Sequence, residues 1–175
     1  MDLPQPVLKA VAVGRKLAAA LAFLPSLLTR LVMGIAFYQT GSGKLASPDN
    51  VTSFFSELGI PFPELNAAFV SRLEYYGGIL LVLGLLTRLA AALLGSTMIV
   101  ALMTADRASL LEALGFSGET GLTDVVPLVY GLFLLWLLIY GGGAVSVDRL
   151  LGRWLGPDRG ARWGADDPSP GETPG

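Results

Sequence analysis

Residues 67–104, AAFVSRLEYYGGILLVLGLLTRLAAALLGSTMIVALMT, decide the fold of this chain. Two almost continuous apolar runs, Ala67–Thr87 and Leu89–Thr104, follow each other across Arg88. Each run approaches the roughly 20 residues that a helix needs to cross about 30 Å of hydrocarbon. In lipid, a single segment satisfies its backbone hydrogen bonds only as a helix. The stretch therefore predicts an antiparallel hairpin of two membrane-spanning helices.

Two further apolar runs complete a predicted bundle of four transmembrane helices, at Leu21–Gln39 and Val125–Tyr140. Before them, Leu3–Ala20 is mildly amphipathic, which is typical of a helix that lies on a membrane surface. The predicted fold is an all-α, polytopic membrane domain over residues 1–156. Residues 157–175 are rich in Pro, Gly and Asp and are predicted to form a disordered cytoplasmic tail.

Composition excludes several classes of function. Of the 175 residues, 53% are hydrophobic and 15% are charged, whereas an average soluble domain has about 25% charged residues. A soluble helical bundle would need more charge on its surface, and the net charge of −2 indicates no nucleic-acid partner. Because the chain has no cysteine and no histidine, thiolate metal sites, histidine-ligated haem and histidine bases are excluded. No metal site is predicted, and any redox role must borrow its cofactor from another subunit, a quinone or a lipid-soluble substrate.

Basic residues predict the orientation of the bundle. Eight fall on one side of the predicted spans: Lys9, Arg15, Lys16, Arg88, Arg149, Arg153, Arg159 and Arg162. Three fall on the other side: Lys44, Arg72 and Arg107. Basic residues are enriched in cytoplasmic loops, so both termini are predicted to face the cytoplasm of a bacterial inner membrane. On the outer side, Asp49–Leu58 is predicted to form a short interfacial helix.

Two ionisable residues, Arg30 and Glu74, fall inside predicted spans. A charge at the centre of a bilayer costs about 2.5–3.5 kcal/mol on insertion scales, so each is expected to have a partner. Helical rise places them at depths about 8 Å apart, which predicts a buried Arg30–Glu74 pair. This pair either locks the bundle or binds a polar headgroup, a quinone or a proton. In the remaining alternative the two residues do not meet, and Arg30 extends its charged end to the membrane surface.

Several other residues are secondary candidates for a site. Tyr38 and Tyr75 are predicted to form an aromatic belt or to line a ligand crevice. Lys44 is predicted to anchor lipid headgroups or acidic neighbours, and Asp148 to cap a short helix that ends near Trp154. Four glycines lie at helical spacing and are predicted to permit close packing of the helices: Gly34, Gly77, Gly78 and Gly84.

Several motifs occur together in order along about residues 30–150. They are RLVMG at 30–34, GSGKL at 41–45, ExxGG at 74–78, LGLLTRLAA at 83–91 and GGGAVSVD at 141–148. This set resembles the DoxX family. The resemblance implies a four-helix bacterial inner-membrane protein; the family is named after a small subunit associated with an archaeal thiosulfate:quinone oxidoreductase and terminal oxidase. Other members are linked to membrane oxidoreductase complexes and to thiol stress responses.

The leading functional prediction is an accessory or quinone-contacting subunit of a membrane oxidoreductase complex, not catalytic alone. One alternative is a small oligomeric transporter or a lipid-binding carrier. The other is a stand-alone enzyme that acts on a lipid-soluble substrate. The predicted partners are membrane lipids, redox-enzyme subunits and further copies of the chain.

Overall fold

A computed structural model describes residues 5–115 and 118–155, and within these two ranges all regular structure is α-helical. The predicted tail, residues 157–175, lies outside them. The described helices are α1 (Gln5–Leu21), α2 (Leu24–Ala46), α3 (Pro48–Glu57), α4 (Pro63–Leu83), α5 (Thr87–Met103), α6 (Arg107–Gly115), α7 (Val126–Tyr140) and α8 (Val147–Leu155).

Four of these helices, α2, α4, α5 and α7, form the bundle. Helix α2 packs along α4, α5 packs along α7, and α4 and α5 contact each other. Between them lies a small apolar core, whose largest fully buried members are Met33, Phe37, Leu81, Leu94, Leu134 and Leu137. Helix α3 covers one end of α4, and its bounds agree within one residue with the predicted interfacial helix.

Helix α2 extends further than the sequence predicted. The predicted span ended at Gln39, but the helix continues to Ala46 through Gly41 and Gly43. Glycine is unfavourable in a helix by about 1 kcal/mol relative to alanine, so the propensity favoured a break. Packing against α4 outweighs that preference, and Lys44 is therefore held on a helix.

Backbone contact explains why glycine is needed at this interface. An ideal Cβ on Gly41 would lie 2.7 Å from Tyr75 Cα, and one on Gly78 would lie 2.5 Å from Tyr38 N. An ideal Cβ on Gly34 would lie 2.8 Å from the Gly78 carbonyl oxygen. Helices α2 and α4 therefore approach each other as closely as their backbones allow.

The described helices differ in their capacity to cross a membrane. By length and composition, one helical stretch, Val11–Ala46, is long and apolar enough. A second exists if Thr87–Met103 and Arg107–Gly115, which meet at a bend of 76°, form one span. Helix α7 is apolar but has only 15 residues. These criteria alone support one or two spans in the described residues rather than the predicted four.

The outer surface of the bundle is apolar. On α7, Leu132, Leu135 and Ile139 are each at least half exposed. On α2, Leu28 and Val32 are also more than half exposed. Soluble monomers rarely expose contiguous apolar patches of this kind, so the surface is typical of a protein that contacts lipid.

The α2–α4 contact yields a matched pair of substitutions. Gly41→Ala should lower the free energy of unfolding by about 1–3 kcal/mol, because the added methyl group overlaps the α4 backbone. Gly43→Ala should be neutral or slightly stabilising, because an ideal Cβ there meets nothing within 4 Å. Thermal unfolding in detergent, followed by circular dichroism, measures both. Equal midpoints for the two variants would contradict the close approach of α2 and α4.

Candidate functional site

A partly buried ion pair lies near the α3 end of the bundle. Lys44 Nζ donates to Glu74 Oε1 at 2.6 Å. The Glu74 side chain is 3% exposed and that of Lys44 is 33% exposed. Among the described residues, the second carboxylate oxygen, Glu74 Oε2, is buried and has no hydrogen-bond partner.

The predicted Arg30–Glu74 pair is therefore wrong. The predicted depths assume that the first span ends near Gln39, whereas α2 continues to Ala46. Gly41 lies against the backbone of Glu74 and Tyr75. Lys44, one helical turn later, is then the cation within reach of Glu74.

An apolar cavity of about 350 Å³ opens beside this ion pair, between α2, α3, α4 and α5. Lys44 and Glu74 both line it. Three phenylalanine rings also contribute to its wall, Phe54 and Phe55 from α3 and Phe69 from α4. A mainly apolar pocket with a few convergent polar groups is the usual form of a small-molecule site.

The predicted aromatic residues lie together, but not in this cavity. The rings of Tyr38 and Tyr75 have centroids 5.0 Å apart, and Tyr76 packs edge-on against Tyr75 at 5.2 Å. Tyr38 and Tyr76 are exposed, and none of the three rings is among the residues that line the pocket. The arrangement matches an aromatic surface better than a ligand crevice.

Arg30 lies at the opposite end of the bundle and is 1% exposed. Its Nη2 donates to the Val145 carbonyl oxygen at 2.6 Å, and its guanidinium packs against Gly84. Within the described part of the chain, Nε and Nη1 have no hydrogen-bond partner. Arg30 thus ties α2 to the segment that joins α7 to α8.

Asp148 performs a different capping role from the one predicted. The short helix α8 exists and contains Asp148 in its first turn, but the carboxylate reaches the start of α5. Its two oxygens accept hydrogen bonds from the backbone N–H groups of Leu86 at 2.6 Å and Thr87 at 2.9 Å. Its own N–H donates to the Gly84 carbonyl oxygen at 2.9 Å. Asp148 therefore joins the α4–α5 turn to α8.

The four predicted packing glycines divide between three settings. Gly34 and Gly78 lie at the α2–α4 backbone contact. Gly77 faces Leu94 of α5. Gly84 ends α4 with a φ of 68°, a conformation that favours glycine.

Sequence reasoning missed the aromatic wall that α3 provides. Phe54 and Phe55 fall within the predicted interfacial helix, and no local pattern indicates that α3 packs against α4. In the described ranges, no group of three or more Asp, Glu, Cys or His side chains could hold a metal ion.

A helical bundle with an apolar exterior, buried charges and small-residue contacts defines a membrane protein. The DoxX family model matches residues 26–107. The chain also shares 33% identity over 132 residues with the uncharacterized membrane protein Rv3486 of Mycobacterium tuberculosis, covering 71% of this chain and 79% of that protein. The chain belongs to the DoxX family of membrane proteins.

Two more relatives are similar to this chain. The inner membrane protein YqjF of Escherichia coli is 33% identical over 127 residues, which cover 73% of this chain and 92% of that protein. A Bacillus subtilis protein named "Putative oxidoreductase CatD" is 33% identical over 79 residues, which cover 45% of this chain and 58% of that protein. No solved structure matches the chain.

Double-mutant cycles should separate the observed ion pair from the one that sequence predicted. Lys44→Ala and Glu74→Ala should couple by about 0.5–3 kcal/mol in the free energy of unfolding, because each removes the same contact. Arg30→Ala and Glu74→Ala should add within about 0.5 kcal/mol, because they lie at opposite ends of the bundle. Chemical unfolding in mixed micelles measures both cycles. Coupling in the second cycle alone would contradict the observed pairing.

The cap on α5 can be tested at Asp148. Asp148→Ala should lower the free energy of unfolding by about 1–2 kcal/mol, because it removes two acceptors from the first N–H groups of α5. Asp148→Asn should lower the free energy of unfolding by less, since one side-chain oxygen remains as an acceptor. Asp49→Ala serves as a control, because Asp49 is exposed and its side chain caps no helix. Equal stabilities for all three variants would show that Asp148 has no such role.

Proposed function

We propose that α2, α4, α5 and α7 each cross the membrane, with α8 on the cytoplasmic side and α3 on the outer side. At 1.5 Å per residue these helices are about 34, 31, 25 and 22 Å long, respectively. Helix α5, with 17 residues, is at the lower limit of about 17 residues for about 30 Å of hydrocarbon, and α7, with 15 residues, is below it. Their exposed apolar side chains support this arrangement, because such a surface needs lipid around it.

We further propose that the pocket between α3, α4 and α5 holds the ring of a quinone. One observation carries this proposal: Glu74 Oε2 is a buried acceptor without a partner in the described residues, and Glu74 lines an apolar cavity. A buried polar atom without a partner costs about 1–3 kcal/mol, more when it is charged. A ligand hydroxyl group would satisfy it.

The lining of the pocket fits the chemistry of a quinone. Lys44 Nζ is a donor for a ring carbonyl oxygen, and Glu74 is an acceptor for the hydroxyl of the reduced form. Phe54, Phe55 and Phe69 offer apolar ring faces to a flat ring and to its tail. When bound, a quinone would supply the two-electron redox chemistry that these side chains lack.

We infer that the chain acts as an accessory subunit of a membrane oxidoreductase complex. Without cysteine or histidine, it lacks the usual ligands of haem and iron–sulfur centres. Electrons would therefore pass between the quinone and a partner subunit. The name of the similar Bacillus subtilis protein supports an oxidoreductase setting.

Photoaffinity labelling tests the quinone site. The full-length protein in mild detergent is irradiated with an azide-bearing ubiquinone analogue, and labelled peptides are identified by mass spectrometry. We expect labels on α3 and α4, near Phe54 and Phe69. Lys44→Met combined with Glu74→Gln should reduce labelling at least several-fold, because the donor and the charged acceptor are both removed.

Arg72→Gln is the matched control, since Arg72 is exposed on the same helix, two residues from Glu74. Its labelling should equal that of the wild type. Labels spread along the lipid-facing side of α7, or unchanged in the double variant, would contradict the quinone site. Copurified phospholipid that blocks labelling of the pocket would instead favour the lipid-carrier alternative.

A further inference from the structure

A second recess lies at the α8 end of the bundle, far from the ion pair. It has a volume of about 440 Å³ and lies between the end of α7, the α4–α5 turn and the start of α8. Two arginines line it, Arg88 from α5 and Arg149 from α8, together with Tyr140 and the glycines at 141–143. Both arginines are exposed.

These two arginines carry positive charge that the described residues offset only in part. Within 4 Å, the one ion pair in residues 5–115 and 118–155 joins Lys44 to Glu74. Asp148 also lines the recess, and its oxygens accept from the Leu86 and Thr87 N–H groups. Its single negative charge leaves the two arginines with one positive charge in excess. Arg88 Nη2 donates to the Ile139 carbonyl oxygen at 3.1 Å, which holds its guanidinium at the end of α7.

The glycine loop brings the two arginines to one recess. Gly141 and Gly143 have φ values of 74° and 73°, which favour glycine. An ideal Cβ on Gly142 would lie 2.7 Å from Thr87 Oγ1. The loop therefore turns sharply against α5 and places α8 beside Arg88.

Helix α8 has an apolar face that the described residues leave uncovered. Val147, Leu150, Leu151 and Trp154 follow the spacing of one helical face. Leu150 is 59% exposed and Trp154 is 90% exposed. Apolar and tryptophan side chains on one face, with a basic residue off that face, are typical of a helix lying in the membrane interface.

We propose that this recess binds the phosphate of an anionic phospholipid, held by Arg88 and Arg149. The apolar face of α8 would enter the same leaflet, and the lipid tails would run along the exposed side of α7. This inference rests on the proposed membrane arrangement but does not depend on the quinone site.

Charge and position together favour an anionic phospholipid over a soluble anion. The recess adjoins exposed apolar surface, and Tyr140 stacks on Trp136 with ring centroids 4.2 Å apart, as in an aromatic belt at a lipid interface. A zwitterionic headgroup adds a cation that two arginines would repel. A phospholipid with a net negative headgroup matches both the arginines and the apolar surroundings.

Native mass spectrometry tests the proposal. The full-length protein in a neutral detergent is titrated with phosphatidylglycerol or phosphatidylcholine of the same acyl chains, and the bound fraction of each is measured. We expect a preference for phosphatidylglycerol. Arg88→Gln combined with Arg149→Gln should lower the affinity for phosphatidylglycerol by about tenfold or more and leave that for phosphatidylcholine unchanged.

Arg72→Gln combined with Arg107→Gln is the matched control, because it removes two exposed charges from the other end of the molecule. This control should keep the preference. Equal losses of phosphatidylglycerol affinity in the two double variants would show only general charge attraction and would overturn the site. A preference for phosphatidylglycerol that survives in the Arg88 and Arg149 double variant would also overturn it.

If the double variant does not fold, Arg149→Gln alone decides the question. Arg149 is exposed and its side chain makes no hydrogen bond within the described residues. The affinity of the Arg149→Gln variant for phosphatidylglycerol should fall about threefold or more. An unchanged affinity would overturn the proposal. A variant that loses the preference for phosphatidylglycerol but keeps wild-type labelling by the quinone analogue would show that this site is distinct from the proposed quinone pocket.

Discussion

The close contact of α2 with α4 governs the rest of the structure. Gly34, Gly41 and Gly78 remove the Cβ atoms that would otherwise hold the two backbones apart. In lipid, where burial of apolar surface gives little driving force, packing of this kind is the main source of helix association. The contact also fixes the register of the helices, so that Lys44 meets Glu74 at one end and Arg30 packs under Gly84 at the other.

Buried charge is compensated differently at the two ends. Glu74 has an ion-pair partner, whereas Arg30 uses the Val145 carbonyl oxygen. Each residue keeps buried polar atoms that have no hydrogen-bond partner among the described residues. The surroundings of these atoms differ between Glu74 and Arg30. Glu74 lines a cavity, while Arg30 is enclosed by packed backbone. An enclosed cation restricts the motion of a loop, and an acceptor on a cavity wall can meet a ligand. For this reason the proposed ligand site is placed at Glu74 and not at Arg30.

The sequence predicted the helices more reliably than their contacts. Apolar runs and turn residues located α3 and α7 within one residue, because local patterning determines where helices begin and end. The prediction that Arg30 pairs with Glu74 is wrong because the predicted span ends at Gln39, whereas the helix continues through two glycines to Ala46. Asp148 was expected to cap its own helix, and its contact with Leu86 spans 62 residues. Neither contact has a local signal, since tertiary packing selects both partners.

Helix α2 connects the two proposed sites mechanically. Arg30 and Lys44 lie 14 residues apart on this one helix, or about 21 Å along its axis. The pocket beside Lys44 and the loop to which Arg30 is bonded therefore lie at opposite ends of a single stiff helix, and in the proposed arrangement these ends lie at opposite faces of the bilayer. Lipid bound between Arg88 and Arg149 would hold the α7–α8 loop, to which Arg30 is bonded. The depth of the quinone pocket in the membrane would then be set by lipid contacts at the opposite face, which suits a subunit that positions a redox partner's substrate.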